Sequence, residues 1–362
     1  MKDESPMSAD SSSGPLIVVG MWRSGTSLLY SLLNQHPQIA LMYEADLFLL
    51  QPLFSRKGSN PDWLARWEFW NSAFSRHNIR PERIPAAVPD LRTGSMAVWK
   101  EYAGPALMGE KSPNYYDCLP SLSQRFPEAR FIVIWRDLSD ICRSMVRART
   151  GSSFFSKPGI LHRAVIGNYK LKLGRDALLR QNVPVHEIQY EEMIQDPAVV
   201  MTGVCKFLGL PFDPRMTSLQ GFDPSPIYEG SHHNQVKGGK ILRSKECPEV
   251  LSSRLRRKIR RYVCYWREQS SGAWPRYPQS QKNASAAPDS DVPGPAERFC
   301  DETLFRGLRA LDRFTTFVYC YAPFGWLQSY RSFKNRRYRN TEAVSTDVIQ
   351  PVREEARQHL GS

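Results

Sequence analysis

From residue 15 onward, short apolar runs bounded by turn residues alternate with stretches whose apolar positions recur every three or four residues. The first run, Leu16 to Val19, reads as a buried strand, and Leu28, Leu29, Leu32 and Leu33 then fall on one helical face. Further strands are predicted at Ile39–Met42, near Ala106–Gly109, at Phe131–Trp135 and at Val185–Gln189. Helices are predicted at about Leu138–Arg149, at Ile160–Arg180, and at Pro197–Leu208, the last closed by Gly209 and Pro211. Strands alternating with helices imply an α/β core, a parallel sheet flanked by helices with right-handed crossovers. Polar residues gather just past the strand ends, where such sheets bind ligands: Tyr43, Glu44 and Asp46; Glu110 and Lys111; Arg136 and Asp137.

The remaining stretches break this rhythm. Residues 1–14 read as a disordered leader, and the core as 15–267 with an insertion at 47–104. Within the insertion, Trp63, Trp67 and Trp70 have helical spacing and read as core, while Pro81, Pro85 and Pro89 break the next stretch of chain. Residues 221–246 are rich in Gly, His and Lys and read as a loop, followed by a basic helix to about Arg267. Residues 268–297 have linker composition, 298–340 form an aromatic and basic helical extension, and 341–362 are a tail. No internal repeat is evident.

Composition narrows the class. At 362 residues the chain can hold one large α/β domain with additions. Its seven cysteines are scattered without a CxxC pair, which argues against a disulfide framework and for a reducing compartment. The first residues lack a signal-peptide pattern, and no run of about twenty apolar residues is present, so a cytoplasmic protein without a membrane anchor is expected, open to peripheral membrane association. The net charge of +13 suits polyanionic partners. Much of it sits in RLRRKIRR, residues 254–261, and RSFKNRRYR, residues 331–339, read either as solvated faces or as a patch for membrane, glycan or nucleic acid.

The stretch LIVVGMWRSGTSLLYSLLNQHP, residues 16–37, is a strand, a loop bracketed by Gly20 and Gly25, and a helix. Unpaired N–H groups and the positive dipole end at such a helix start form an anion site, to which Arg23, Ser24, Thr26 and Ser27 add donors. The glycine spacing invites comparison with GxxxxGK[ST], but Thr26 stands where the lysine should be, which weakens a kinase reading.

The loop instead resembles the 5′-phosphosulfate loop of sulfotransferases, with RSGTS, LL and HP closest to tyrosylprotein and related bacterial or carbohydrate enzymes. RFIVIWRDLSDICRSM, residues 130–145, resembles their 3′-phosphate signature, implying that Arg136 and Ser144 bind that phosphate. EKSPNY, residues 110–115, looks like the segment carrying a lysine beside the bridging oxygen, hence Lys111. QYEEMIQDP, residues 189–197, suggests Tyr190 near the adenosine, and HHNQVKGGKILR, residues 232–243, suggests Gly239, Lys240 and Arg243 near the 3′-phosphate.

The resemblance implies a P-loop-like three-layer fold with a C-terminal helical extension, and sulfuryl transfer from 3′-phosphoadenosine 5′-phosphosulfate (PAPS) to a hydroxyl or amine without a metal. It makes Arg23, Ser24, Gly25, Thr26 and Ser27 ligands of the donor, Arg23 and Lys111 electrostatic stabilisers, and Glu44 the base. The usual Glu-Thr-Arg is Glu44-Ala45-Asp46 here, which puts a peptide substrate in doubt. An ion pair of Glu44 with Arg23 or Lys111 is the competing reading of that residue. The acceptor class stays open among carbohydrate, tyrosyl peptide, lipid and small metabolite, with the 47–104 insertion on the acceptor side. Nucleic acid is not expected, and an anionic membrane could be met through the C-terminal extension. Two rivals remain: a nucleoside-triphosphate kinase, and an inactive membrane- or glycan-associated protein with a sulfotransferase core. His36, His162 and His186 are read as structural, His232 and His233 as candidates near the nucleotide, and Cys142 as buried and apolar.

Overall fold

The computed structural model describes residues 14–55, 57–149, 152–228, 234–239, 241, 251–268 and 292–329. The chain begins with strand β1 (Leu16–Gly20), helix α1 (Thr26–Leu33) and β2 (Ile39–Tyr43). A small hairpin, β3 (Phe54–Ser55) and β4 (Gly58–Ser59), leads into α2 (Trp63–Asn71), α3 (Ala73–His77) and α4 (Leu91–Ala103). Then come β5 (Leu107–Lys111), α5 (Leu119–Arg125), β6 (Arg130–Trp135), α6 (Leu138–Ala148), α7 (Ile160–Arg180) and β7 (Val185–Gln189). Helices α8 (Tyr190–Gln195), α9 (Pro197–Leu208), α10 (Asn234–Lys237), α11 (Ser253–Glu268) and α12 (Pro295–Tyr321) complete the described elements.

The main sheet has the order β2-β5-β1-β6-β7, and every pair in it is parallel. β1 is central and buried along its whole length, as a strand covered on both faces must be, which explains its uninterrupted LIVV run. Helices α1, α4, α7 and α9 pack against the strands. Leu28, Leu29, Leu32 and Leu33 of α1 join Leu41, Ile132, Ile134, Ile188, Met201 and Val204 in one apolar core. Local chemistry marks several helix starts: Asp90, Asp137 and Asp196 each accept the N–H three residues on, and Pro197 occupies the first turn of α9. Gly209 ends α9 in the left-handed conformation.

Two boundaries differ from the sequence reading. The stretch 47–104 contains α4, which packs on β2 and β5 and is the crossover helix between them, so it is more than an insertion. Its many polar positions hide a buried face of Leu91, Val98 and Trp99. Trp63, Trp67 and Trp99 are fully buried core residues, whereas Trp70 is half-buried. The chain also divides into two compact units, residues 1–312 and 313–362, so the first part of the C-terminal extension belongs to the larger unit. Arg309 grips Asp117 with two 2.6 Å hydrogen bonds, Lys170 pairs with Glu302 at 2.8 Å, and Tyr262 donates to Asp301 at 2.8 Å. In the second unit, α12 continues to Tyr321 and residues 324–329 are helical. Residues 1–13, 269–291 and 330–362, which include most of the predicted leader and linker and all of the tail, lie outside the described residues.

Candidate active site

The C-terminal ends of β1, β5, β6 and β2 carry two adjoining clusters. The first surrounds the loop after β1. Gly25 opens α1 at φ 101°, with no side-chain cap, which leaves the first N–H groups of the helix directed at the loop. A Cβ at this position would overlap the Tyr190 ring, so glycine is required by both conformation and space. Arg23 donates through Nε to Ser144 Oγ at 3.0 Å, although 121 residues separate them. Arg136, at the end of β6, donates to the Arg23 carbonyl at 2.9 Å and stacks 4.2 Å over Tyr190 at the start of α8. Thr26 is buried at the start of α1.

This cluster is built for an anion. Two guanidinium groups are packed together, and burial followed by the charge of Arg136 lowers the Arg23 pKa to about 10. Arg147, three residues beyond Ser144 on α6, adds a third positive charge to the same field. Ser24 Oγ and Arg136 Nε are buried and have no hydrogen-bond partner among the described residues. Buried polar groups left this way cost free energy that a bound phosphate or sulfate would recover. These residues therefore fit a phosphate or sulfate group.

The second cluster lies at the ends of β2 and β5. Lys111, fully buried, donates to Glu44 Oε1 at 2.5 Å and sits 3.4 Å over the centre of the Tyr43 ring. Burial pushes the Lys111 pKa down, and the neighbouring Glu44 charge opposes that shift. The Tyr43 hydroxyl meets Ser27 Oγ at 2.8 Å, joining the two clusters. Burial and then the Glu44 charge hold the Tyr43 hydroxyl well above its ordinary pKa, so it stays protonated.

Glu44 and Asp46 both adopt positive φ, 47° and 54°, a conformation that side chains other than glycine and asparagine rarely take. A frame of donors holds this turn. Glu44 N–H donates to the Lys111 carbonyl at 2.7 Å, Asn71 Nδ2 to the Glu44 carbonyl at 2.8 Å, and Trp67 Nε1 to the Ala45 carbonyl at 2.8 Å. Arg76 donates to Asn71 Oδ1 and, at 3.0 Å, to the Tyr43 carbonyl. Ser112 and Asn114 both donate to the Asp46 carboxylate, whose pKa burial and Glu44 raise to about 6.

The predicted donor-binding residues Arg23, Ser24, Gly25, Thr26, Ser27, Arg136, Ser144 and Tyr190 are thus brought together, and Glu44 and Lys111 are joined as an ion pair. The Arg23 side chain thus meets Ser144, which the resemblance assigns to the 3′-phosphate. Gly239 is described, in a left-handed turn at φ 68°, while Lys240, Arg243, His232 and His233 lie outside the described residues. His36 bridges to the Pro211 carbonyl, His186 stacks on Phe207 within β7, and Cys142 is buried. Asn71, Arg76 and Arg147 escaped the sequence reading, and Trp67 was read there as core without its hydrogen bond to the Ala45 carbonyl. Only Ser112 and Asn114 left a local signal, the Ser-Pro-Asn turn after Lys111.

A model of the sulfotransferase family matches residues 15–214, a span that includes the loop, Glu44, Lys111, Arg136, Ser144 and Tyr190. The chain belongs to the sulfotransferase family. Among similar proteins is nodulation protein NoeE of Sinorhizobium fredii, 30% identical over an alignment of length 236 that covers 58% of this chain and 53% of NoeE. The chain therefore spans about half the length of that relative. The fold is that of the sulfotransferase domain from the curacin biosynthetic pathway, with a TM-score of 0.51 at 19% identity over 73% of this chain and 99% of that one. The sulfotransferase domain of the Synechococcus PCC 7002 olefin synthase gives 0.49 at 19% identity, over 73% and 98%.

Proposed function

We propose that this member of the sulfotransferase family transfers a sulfuryl group from PAPS to a hydroxyl or amine, with Glu44 as the base. One observation carries the reading: an anion-seeking cluster and a carboxylate–ammonium pair adjoin through the Ser27–Tyr43 contact. PAPS supplies a sulfuryl group carried on a phosphate leaving group. Arg136, Ser144 and Arg23 hold the 3′-phosphate end, with Tyr190 beside the nucleoside. The N–H groups at the start of α1, with Ser24, Thr26 and Ser27, hold the 5′ end.

Lys111 has a dual part. It orients Glu44 in the resting site through their 2.5 Å contact. When Glu44 takes the acceptor proton, Lys111 loses its counter-ion, and its positive charge serves the negative charge developing on the departing phosphate. A buried lysine does this more strongly than an exposed one, because the local dielectric is low.

The test is calorimetric titration with adenosine 3′,5′-bisphosphate, followed by a transfer assay. Arg136→Ala should weaken binding by about tenfold or more, the worth of a charged hydrogen bond. Glu44→Gln should leave binding within about twofold and lower transfer by about a hundredfold or more, as loss of a general base does. Equal loss of binding in both variants rejects the role given to Glu44. Transfer of radiolabelled sulfate into fractions of a cell extract identifies the acceptor class.

A further inference from the structure

The second unit carries a surface outside the proposed active site. Along α12, Phe314, Phe317, Val318 and Tyr321 occupy positions i, i+3, i+4 and i+7 and so share one face, with Thr315, Thr316 and Tyr319 on the other side. Phe314 is 61% exposed, Phe317 52%, and Trp326, just beyond, 74%. Large apolar groups exposed together in this way mark a surface that meets something else.

Charge says what that is. From Arg313 to Thr341 the sequence has six cations, Arg313, Arg331, Lys334, Arg336, Arg337 and Arg339, and no carboxylate. The same stretch holds nine aromatic residues. Among the described residues no helix is long and apolar enough to cross a membrane. Aromatic side chains beside a cationic stretch suit the headgroup boundary of an anionic bilayer, where rings enter the interface and Arg and Lys meet the lipid charge. Val318, an aliphatic residue on the same face, suits acyl chains and adds nothing to base stacking.

We propose that residues 313–341 dock the protein on an anionic membrane surface, with the α12 aromatic face entering the interface and the Arg-rich stretch engaging lipid charge. This does not depend on the activity proposed above. The full-length protein is sedimented with vesicles of phosphatidylcholine alone and of phosphatidylcholine mixed with phosphatidylglycerol. Binding is expected to the mixed vesicles, to be far weaker on the neutral ones, and to fall as salt rises. Each neutralisation, Arg336→Gln or Arg337→Gln, should lower partitioning about fivefold, corresponding to about 1 kcal/mol per charge. Combined Phe314→Ala, Phe317→Ala and Trp326→Ala should lower it more than tenfold, with an unchanged melting midpoint because all three are exposed. Absence of vesicle binding, or equal binding by the aromatic variant, overturns the proposal. So does a single-stranded oligonucleotide that displaces the protein from vesicles at lower concentration than lipid binds it. A concentration-dependent dimer that the aromatic variant abolishes, without vesicle binding, assigns the face to a second copy instead.

Discussion

At the residue scale, the turn that presents Glu44 is held more by its surroundings than by its own sequence. Positive φ at non-glycine residues costs on the order of 1 kcal/mol each, and this turn has two. Asn71 offsets that cost by donating to the carbonyls of Glu44 and Ala45 while its own oxygen accepts from Arg76. Asn71→Ala should therefore destabilise the fold by about 1–3 kcal/mol and lower kcat about tenfold, while leaving the affinity for adenosine 3′,5′-bisphosphate unchanged. An unchanged kcat would show that the frame has no bearing on the position of Glu44. None of this was legible in the sequence, because Asn71 and Arg76 lie 27 and 32 positions beyond Glu44 on helices without a motif. Arg136, Ser144 and Tyr190 were singled out in the sequence by resemblance to family motifs, which fall here at the ends of β6 and β7.

At the scale of elements, β5 lies between β2 and β1 and brings Lys111 to the site, so its fit in the sheet decides whether the site forms. Gly109 pairs with Leu16 at φ 150°, and a Cβ there would overlap the Leu16 backbone. Gly109→Ala should cost several kcal/mol in chemical unfolding, well above the roughly 1 kcal/mol of an ordinary substitution. Next to it, Glu110 is fully buried and accepts from the Tyr115 hydroxyl, and burial raises its pKa to about 8. A carboxyl whose pKa is higher folded than unfolded binds its proton more tightly in the fold, so stability falls as pH rises through that window. His77, lowered to about 3 by burial, makes stability rise with pH only up to its unfolded value of 6.5. Between about pH 6.5 and 8 the Glu110 effect stands clear of it, amounting to at most about 2 kcal/mol. Glu110→Gln should flatten the melting midpoint across that interval, and an undiminished slope would reject Glu110 as its source. The strands and long helices were legible because period and length agree along them. Helix α4 was not, because its buried residues are scattered among polar ones.

For the whole molecule, the central claim is that two phosphate-binding segments and a carboxylate–ammonium pair, distant in sequence, form one site for a bipartite nucleotide. Arg23 reaches Ser144 across 121 residues and Lys111 reaches Glu44 across 67, contacts that only the parallel sheet order creates. The motifs pointed to the participants and left Arg23 and Lys111 as the two partners for Glu44, of which Lys111 is the one that pairs with it, whereas the contact of Arg23 with Ser144 could not be read from them. Titration of the full-length protein with adenosine 3′,5′-bisphosphate, without magnesium, tests the claim most directly. The wild type and Glu44→Gln should bind with similar affinity, and Arg136→Ala should bind at least about tenfold more weakly. Failure of the wild type to bind the bisphosphate, or tighter binding of ATP with magnesium, would contradict it.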